Sequence, residues 1–159
     1  MKEINLTTKI RVYLIDECTD IEKKLIDAAK NATKNAYAPY SQFKVGAALL
    51  LDNGEIITGN NQENAAYPSG LCAERTAVFF ANANHPESKI GAIAVAAYYK
   101  GDFTKDVITP CGACRQVLLE IENKHKSPMD ILLYAGSGEV YKFDTIKDLL
   151  PFSFGDEML

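Results

Sequence analysis

Apolar positions change their spacing along the chain, and each change marks an element. From Leu6 to Leu14, the positions Leu6, Thr8, Ile10, Val12 and Leu14 share one parity; Thr7, Lys9, Arg11 and Tyr13 share the other. This partial alternation predicts a short edge strand, or an extended arm laid on a neighbour. After Thr19 the period lengthens. Thr19 and Glu22 have capping-box spacing, and Ile21, Leu25, Ala28, Ala29, Ala32 and Ala36 form a stripe of mostly small residues. A helix is expected here, ended by Pro39, with a surface that permits close approach to a sheet.

Phe43, Val45, Ala47 and Leu49 return to period two, with Ala48 and Leu50 adding apolar character to the other parity. That reads as a strand becoming buried on both faces. Asn53-Gly54 predicts a hairpin into Glu55–Gly59. The run from Asn60 to Pro68 is too polar for a core element. Its amides and single carboxylate suit directional bonds to hydroxyl groups, or equally local capping of the loop's own backbone. A second helix is expected from near Leu71 through Phe80, a central strand at Gly91–Tyr98, and a third helix from Cys111 to about Ile121. Pro110 at its entrance suits a first-turn position. Ile131–Tyr134 and Val140–Phe143 read as two more strands, followed by a helical turn near Thr145–Leu150. The alternation implies an α/β fold: a three-layer α/β/α sandwich around a mixed five-stranded sheet.

Length and charge narrow the functions available. The 159 residues suit one domain, residues 1–159, with 1–18 standing as an N-terminal extension to it. A formal net charge of -4 gives no general attraction to nucleic-acid phosphates or an anionic membrane, though it leaves an uncharged nucleoside open. No stretch approaches 18 apolar residues, and Met1-Lys2-Glu3 does not open a signal-peptide pattern. A chain this large needs no disulfide staples, so its four unevenly placed cysteines point to reduced thiols and a cytoplasmic setting.

Three of those cysteines carry the chemistry. Cys111 and Cys114 have Cys-x-x-Cys spacing, and Cys72 lies 39 positions before Cys111 with Glu74 two residues beyond it. The pattern fits a three-thiolate zinc site, one ion per subunit, with a fourth position left for water and Glu74 placed to move protons. Both segments fall at helix entrances, where exposed amides favour thiolates by about 0.3–1 kcal/mol each. Three thiolates exceed the charge of one divalent ion, and Arg75 is placed to offset the excess by donating to sulfur. Arg75 in an external ion pair, and Arg115 facing solvent or a subunit contact, are the plainer alternatives. Cys18 reads as a small buried hydrophobe. Recruited as a fourth ligand, it would make the site closed and structural; a redox Cys-x-x-Cys is another alternative, but leaves Cys72-Ala73-Glu74 unused. His85 and His125 read as solvent-facing.

Cys72-Ala73-Glu74-Arg75, with Pro110-Cys111-Gly112-Ala113-Cys114-Arg115-Gln116, resembles the small homotetrameric zinc-dependent cytidine deaminases. The similarity extends through Tyr37–Phe43, Gly59–Pro68 and Leu149–Gly155, covering roughly residues 20–156. It implies hydrolysis of cytidine and 2′-deoxycytidine to uridine, 2′-deoxyuridine and ammonia, for pyrimidine salvage. It also implies a homotetramer with pockets at its subunit interfaces. By the same resemblance, Asn61 and Glu63 hold sugar hydroxyls, and the Ala73 amide contacts the base carbonyl. Phe43 packs near the nucleoside, and Tyr67 and Phe154 build pockets between neighbouring subunits. Each aromatic has a second reading as core or interface packing.

Two other substrate classes share this chemistry. A relative acting on another aminopyrimidine, such as an antibiotic, would use the same zinc site and differ in competition assays. A nucleic-acid editor would need a basic tract, which Lys124-His125-Lys126 is too small to supply. A non-enzymatic zinc domain would need four protein ligands.

Overall fold

The computed structural model describes residues 1–155 and 158–159. Asp156, at the end of the stretch of resemblance, lies outside the described residues. Among those described, the strands are β1 (Arg11–Leu14), β2 (Lys44–Leu51), β3 (Ile56–Asn60), β4 (Ile90–Tyr99), β5 (Asp102–Phe103), β6 (Asp130–Tyr134) and β7 (Glu139–Phe143). The helices are α1 (Asp20–Ala32), α2 (Ala73–Asn84) and α3 (Gly112–His125).

The strands form one sheet in the order β1-β7-β6-β4-β2-β3, with β5 pairing to β4. Only β4 and β6 run parallel, joined by the crossover that contains α3, which makes the sheet mixed. The five expected strands run together as β7-β6-β4-β2-β3. Among the described residues the sheet has seven, because the N-terminal segment joins as the edge strand its alternation allowed and the two-residue β5, too short to show a pattern, pairs with β4.

Period-two burial divides the two faces. Ala47, Leu49, Ile93, Val95, Ile131 and Leu133 face α2 and α3; Ala48, Ala92, Ala94, Ala96, Leu132 and Val140 face α1. The α1 face is therefore paved largely with alanine, and α1 lies close against it. The sandwich has the three layers expected.

Helix α1 begins as the capping box predicts: the Glu22 amide donates to the Thr19 hydroxyl (3.4 Å), and the Thr19 amide to the Glu22 carboxylate (2.9 Å). It ends at Ala32, earlier than Pro39 suggested, and passes into a short 3-10 turn at Thr33–Asn35. Leu25, Ile26, Ala29 and Ala32 are its buried residues, while Ile21 is exposed. The face is thus rotated towards Ile26 from the expected stripe.

Of the N-terminal segment only Arg11–Leu14 forms a strand; residues 6–10 are exposed on both parities. Within β1 the alternation is turned the other way: Tyr13 packs on the α1-side core, whereas Val12 and Leu14 are exposed. At the sheet edge the inward parity is set by pairing with β7, not by the more apolar set. Residues 11–14 are accordingly an integral strand rather than a peripheral arm.

Candidate active site and metal centre

Two helix entrances meet on the α2/α3 side of the sheet. Cys72 is the N-cap of α2 and Cys111 the N-cap of α3, both with extended backbone and neither with a side-chain cap. Pro110 therefore stands before the cap rather than in the first turn, because Cys111 takes the capping position. Gly59 on β3 lets α2 approach the sheet closely enough to bring its first turn to this point.

The three sulfurs converge. Cys72 Sγ lies 3.7 Å from Cys111 Sγ, which lies 3.5 Å from Cys114 Sγ, and all three fall within 4.8 Å of one another. A tetrahedron with zinc–sulfur bonds of about 2.3 Å has edges of about 3.8 Å. The sulfur spacing and the soft donor set therefore fit zinc. Cys18 packs instead in the core beneath α1, with its thiol directed to the Leu14 carbonyl, so the closed four-thiolate alternative fails. His85 caps the far end of α2 and His125 ends α3. Both are half-buried rather than openly solvent-facing.

The electrostatics are asymmetric. Cys72 is brought down to about 5 by the hydrogen bond from Cys114, with help from Arg75 and Cys111 against the effect of burial. Cys114 is pushed up by that same contact, by burial and by the charge of Glu74. Negative charge is favoured at Cys72 over Cys114. Arg75 Nη2 donates to the Cys72 sulfur at 3.9 Å and to the Gly70 carbonyl at 3.5 Å. Among the described residues Arg75 makes no ion pair with a carboxylate.

Glu74 is only 5% exposed, in a helix first turn beside the sulfurs. Burial raises its carboxyl above the usual value, and the Cys72 thiolate adds to the rise. A carboxyl whose charged form burial disfavours holds a proton more readily, which suits a group that must both take and give one.

A cleft of about 660 Å³ opens over this centre. Cys72, Ala73, Glu74, Arg75, Cys111, Asn61, Glu63 and Tyr67 reach its wall, as do Tyr40, Val45 and Thr109, which sequence patterning did not single out. Both polar ends of Asn61 serve the backbone: Oδ1 accepts from the Val45 amide (2.8 Å) and Nδ2 donates to the Phe43 carbonyl (2.9 Å). Glu63 accepts from the Tyr40 amide (2.9 Å) and from the Ser41 amide and hydroxyl, which hold its carboxyl below the usual range. The loop does cap itself, then, but each side chain keeps spare bonding capacity towards the cleft.

Ala73 is buried at the uncapped start of α2. Tyr67 stands at the rim, edge-on to Tyr40, and is largely exposed. Phe43 and Phe154 do not line the cleft: Phe43 packs against Tyr99, and Phe154 is exposed with its carbonyl bonded to Gln116.

A three-layer α/β/α sandwich with three thiols and a buried carboxyl at paired helix entrances defines a class of zinc-centred α/β protein. Residues 19–127 match the family described as the cytidine and deoxycytidylate deaminase zinc-binding region, and the chain belongs to that family. It is 42% identical over 135 residues to the cytidine deaminase of Halalkalibacterium halodurans, covering 84% of this chain and 93% of that one. It is 44% identical over 140 residues to the cytidine deaminase of Sporosarcina psychrophila, covering 88% and 95%. The crystal structure of the Burkholderia pseudomallei cytidine deaminase superposes with a TM-score of 0.70 at 44% identity, covering 83% of this chain and 98% of that one.

Proposed function

We propose that this chain is a cytidine deaminase, converting cytidine and 2′-deoxycytidine to uridine and 2′-deoxyuridine with release of ammonia, in pyrimidine salvage. The observation that carries it is the buried Glu74 carboxyl on the wall of a cleft that also reaches Cys72 and Cys111 of the three-sulfur cluster. Cys72, Cys111 and Cys114 would hold zinc, which when bound would stabilise developing charge and make water a better nucleophile.

Glu74 takes a proton from water and delivers it to the ring nitrogen beside the amino-bearing carbon. The carboxylate then takes the remaining proton from the new hydroxyl, as it becomes the carbonyl, and passes it to the departing amine. Water supplies the oxygen gained by the base, and the amino group leaves as ammonia. Arg75 and the two uncapped helix entrances offset the excess negative charge of three thiolates. The Ala73 amide at the start of α2 meets the base carbonyl, while Asn61 and Glu63 spend their remaining bonding capacity on sugar hydroxyls.

We read the working form as a homotetramer. Phe154, Phe152, Phe79 and Phe80 are exposed aromatics, and Phe154 does not line its own cleft. Those features support a pocket completed by neighbouring chains, with Phe154 and Phe43 packing near the nucleoside only there. Residues 1–159 serve as one catalytic domain, with residues 1–18 an N-terminal extension whose strand Arg11–Leu14 is built into the sheet. Four free thiols suit a reducing cytoplasm. Among the described residues no helix is long and apolar enough to cross a membrane.

The test is direct. Purified zinc-loaded protein is mixed with cytidine, and uridine and ammonia are followed, with Glu74→Ala alongside. Release of both products by the parent protein, and loss of release with zinc retained in the variant, is expected. Unchanged ammonia release by the variant rejects Glu74 as proton carrier. Much faster turnover of an antibiotic aminopyrimidine in competition reassigns the substrate.

A further inference from the structure

Arg115 follows Cys114 near the start of α3, where exposed amides make a cation unwelcome. Its side chain nevertheless folds back over the helix entrance and is anchored there by all three nitrogens of the guanidinium. Nε donates to the Pro110 carbonyl at 2.7 Å, Nη1 to the Leu149 carbonyl at 2.6 Å, and Nη2 to the Thr109 hydroxyl at 3.2 Å. These acceptors belong to segments far apart in sequence. Thr109 and Pro110 end the link that brings a wall of the cleft into Cys111. Leu149 opens the C-terminal segment.

The next residue holds the far end of that segment: Gln116 Nε2 donates to the Phe154 carbonyl at 2.9 Å. Further along α3, Glu122 secures the turn that precedes Leu149, accepting from the Ile146 amide (2.9 Å) and the Thr145 hydroxyl (2.7 Å). The chain from Thr145 to Phe154 is thus pinned at three points to the helix whose entrance carries two of the sulfurs.

We propose that Arg115 is a positioning residue that fixes Thr109, on the wall of the cleft, and the adjoining Pro110 against the C-terminal segment bearing Phe154. The role needs a planar fork with several donors. A lysine reaches one carbonyl at a time and cannot bridge two segments in a fixed geometry. Cys111 and Cys114 are held by α3 itself, so loss of the fork leaves the metal ligands in place and loosens what surrounds the substrate. The consequence falls on substrate binding, which appears as a raised KM with little change in kcat. This inference rests on the deaminase reading for its kinetic form and stands apart from it for its structural form.

Arg115→Gln, Arg115→Lys and Gln116→Ala are compared with the parent as zinc-loaded full-length proteins. Metal content, kcat and KM for cytidine are measured, with hydrogen exchange at the backbone amides of residues 150 and 152–155. Both Arg115 variants are expected to keep the parent's zinc content and to raise KM about tenfold with kcat within about twofold. Exchange across the C-terminal segment should quicken in both, and in Gln116→Ala chiefly near Phe154. An unchanged KM, or zinc and kcat lost together, overturns the proposal. If the parent turns over no cytidine the deaminase reading falls by itself, and unaltered exchange in the Arg115 variants then overturns the positioning role.

Discussion

Gly59 lies so close beneath the first turn of α2 that a Cβ there would stand 2.5 Å from the Ala77 amide nitrogen and 2.6 Å from the Ala73 carbonyl oxygen. Neither neighbour is a flexible side-chain end, so the helix itself would have to move. Since Cys72 caps that helix and Glu74 lies in its first turn, sheet packing and site geometry are one problem. Gly59→Ala is expected to cost about 1–3 kcal/mol and to lower Tm by about 2–12 °C. Zinc content should fall with it. Thermal unfolding and metal analysis check both, and an unchanged Tm with full zinc would show that α2 accommodates the methyl group.

Glu74→Gln keeps the shape of the side chain but removes the proton carrier. It should retain zinc and lose about 10²–10⁴-fold in kcat. Steady-state kinetics beside metal analysis provides the check. Loss of zinc in this variant would instead make Glu74 a structural support of the sulfur cluster.

Cys111→Ser and Cys114→Ala each remove one sulfur from the trio, and each should lose zinc together with local order at both helix entrances. Zinc uptake by metal-stripped protein should release the proton held by Cys114, which its contacts push up. Apparent affinity should therefore weaken as pH falls, because protons compete for the sulfurs. Calorimetric titration in two buffers of different ionisation enthalpy counts the protons; none released at pH 7 would contradict the reading.

On the opposite face, Lys142 Nζ lies 2.9 Å from Glu22 and 2.6 Å from Asp130, where β7 meets α1. Burial favours the protonated Glu22, but the hydrogen bonds from Lys142 and Thr19 outweigh it and bring its carboxyl down to about 2 from 4.5. A lowered folded value means that stability is present above the unfolded value and is lost as pH falls from about 4.5 towards 2. Glu22→Gln keeps the capping box and removes this titration. Its unfolding free energy should drop less than the parent's between pH 5 and pH 3 in denaturant titrations; equal drops would place the acid sensitivity elsewhere.

Phe154→Ala should raise KM for cytidine while leaving zinc content unchanged, provided the side chain completes a neighbour's pocket. Light scattering on the parent should give four times the mass of one chain. A fully active monomer would remove that role from Phe154.

Much of the fold was legible because its cues are local. Thr19 and Glu22 announce α1, the parity of Phe43 to Leu49 announces β2, and Asn53-Gly54 announces the hairpin into β3. The metal centre was legible for a related reason: Cys72, Glu74, Cys111 and Cys114 are placed by the first turns of two helices, and helix geometry is short-range. Arg115 left a fainter trace, a cation near the wrong end of a helix, whose use depended on where Leu149 would come to lie.

The sequence by itself determined the donor set, the acid beside it and the helices that carry them, since residue type and spacing within one turn decide those. Tertiary structure decided the rest. Pairing with β7 turned Val12 and Leu14 outward, the backbones of Phe43 and Val45 claimed the Asn61 amide, and α3 drew the C-terminal segment onto Arg115 and Gln116. Each of these depends on a partner distant along the chain, and local periodicity holds no information about which distant backbone group will be brought within hydrogen-bonding range.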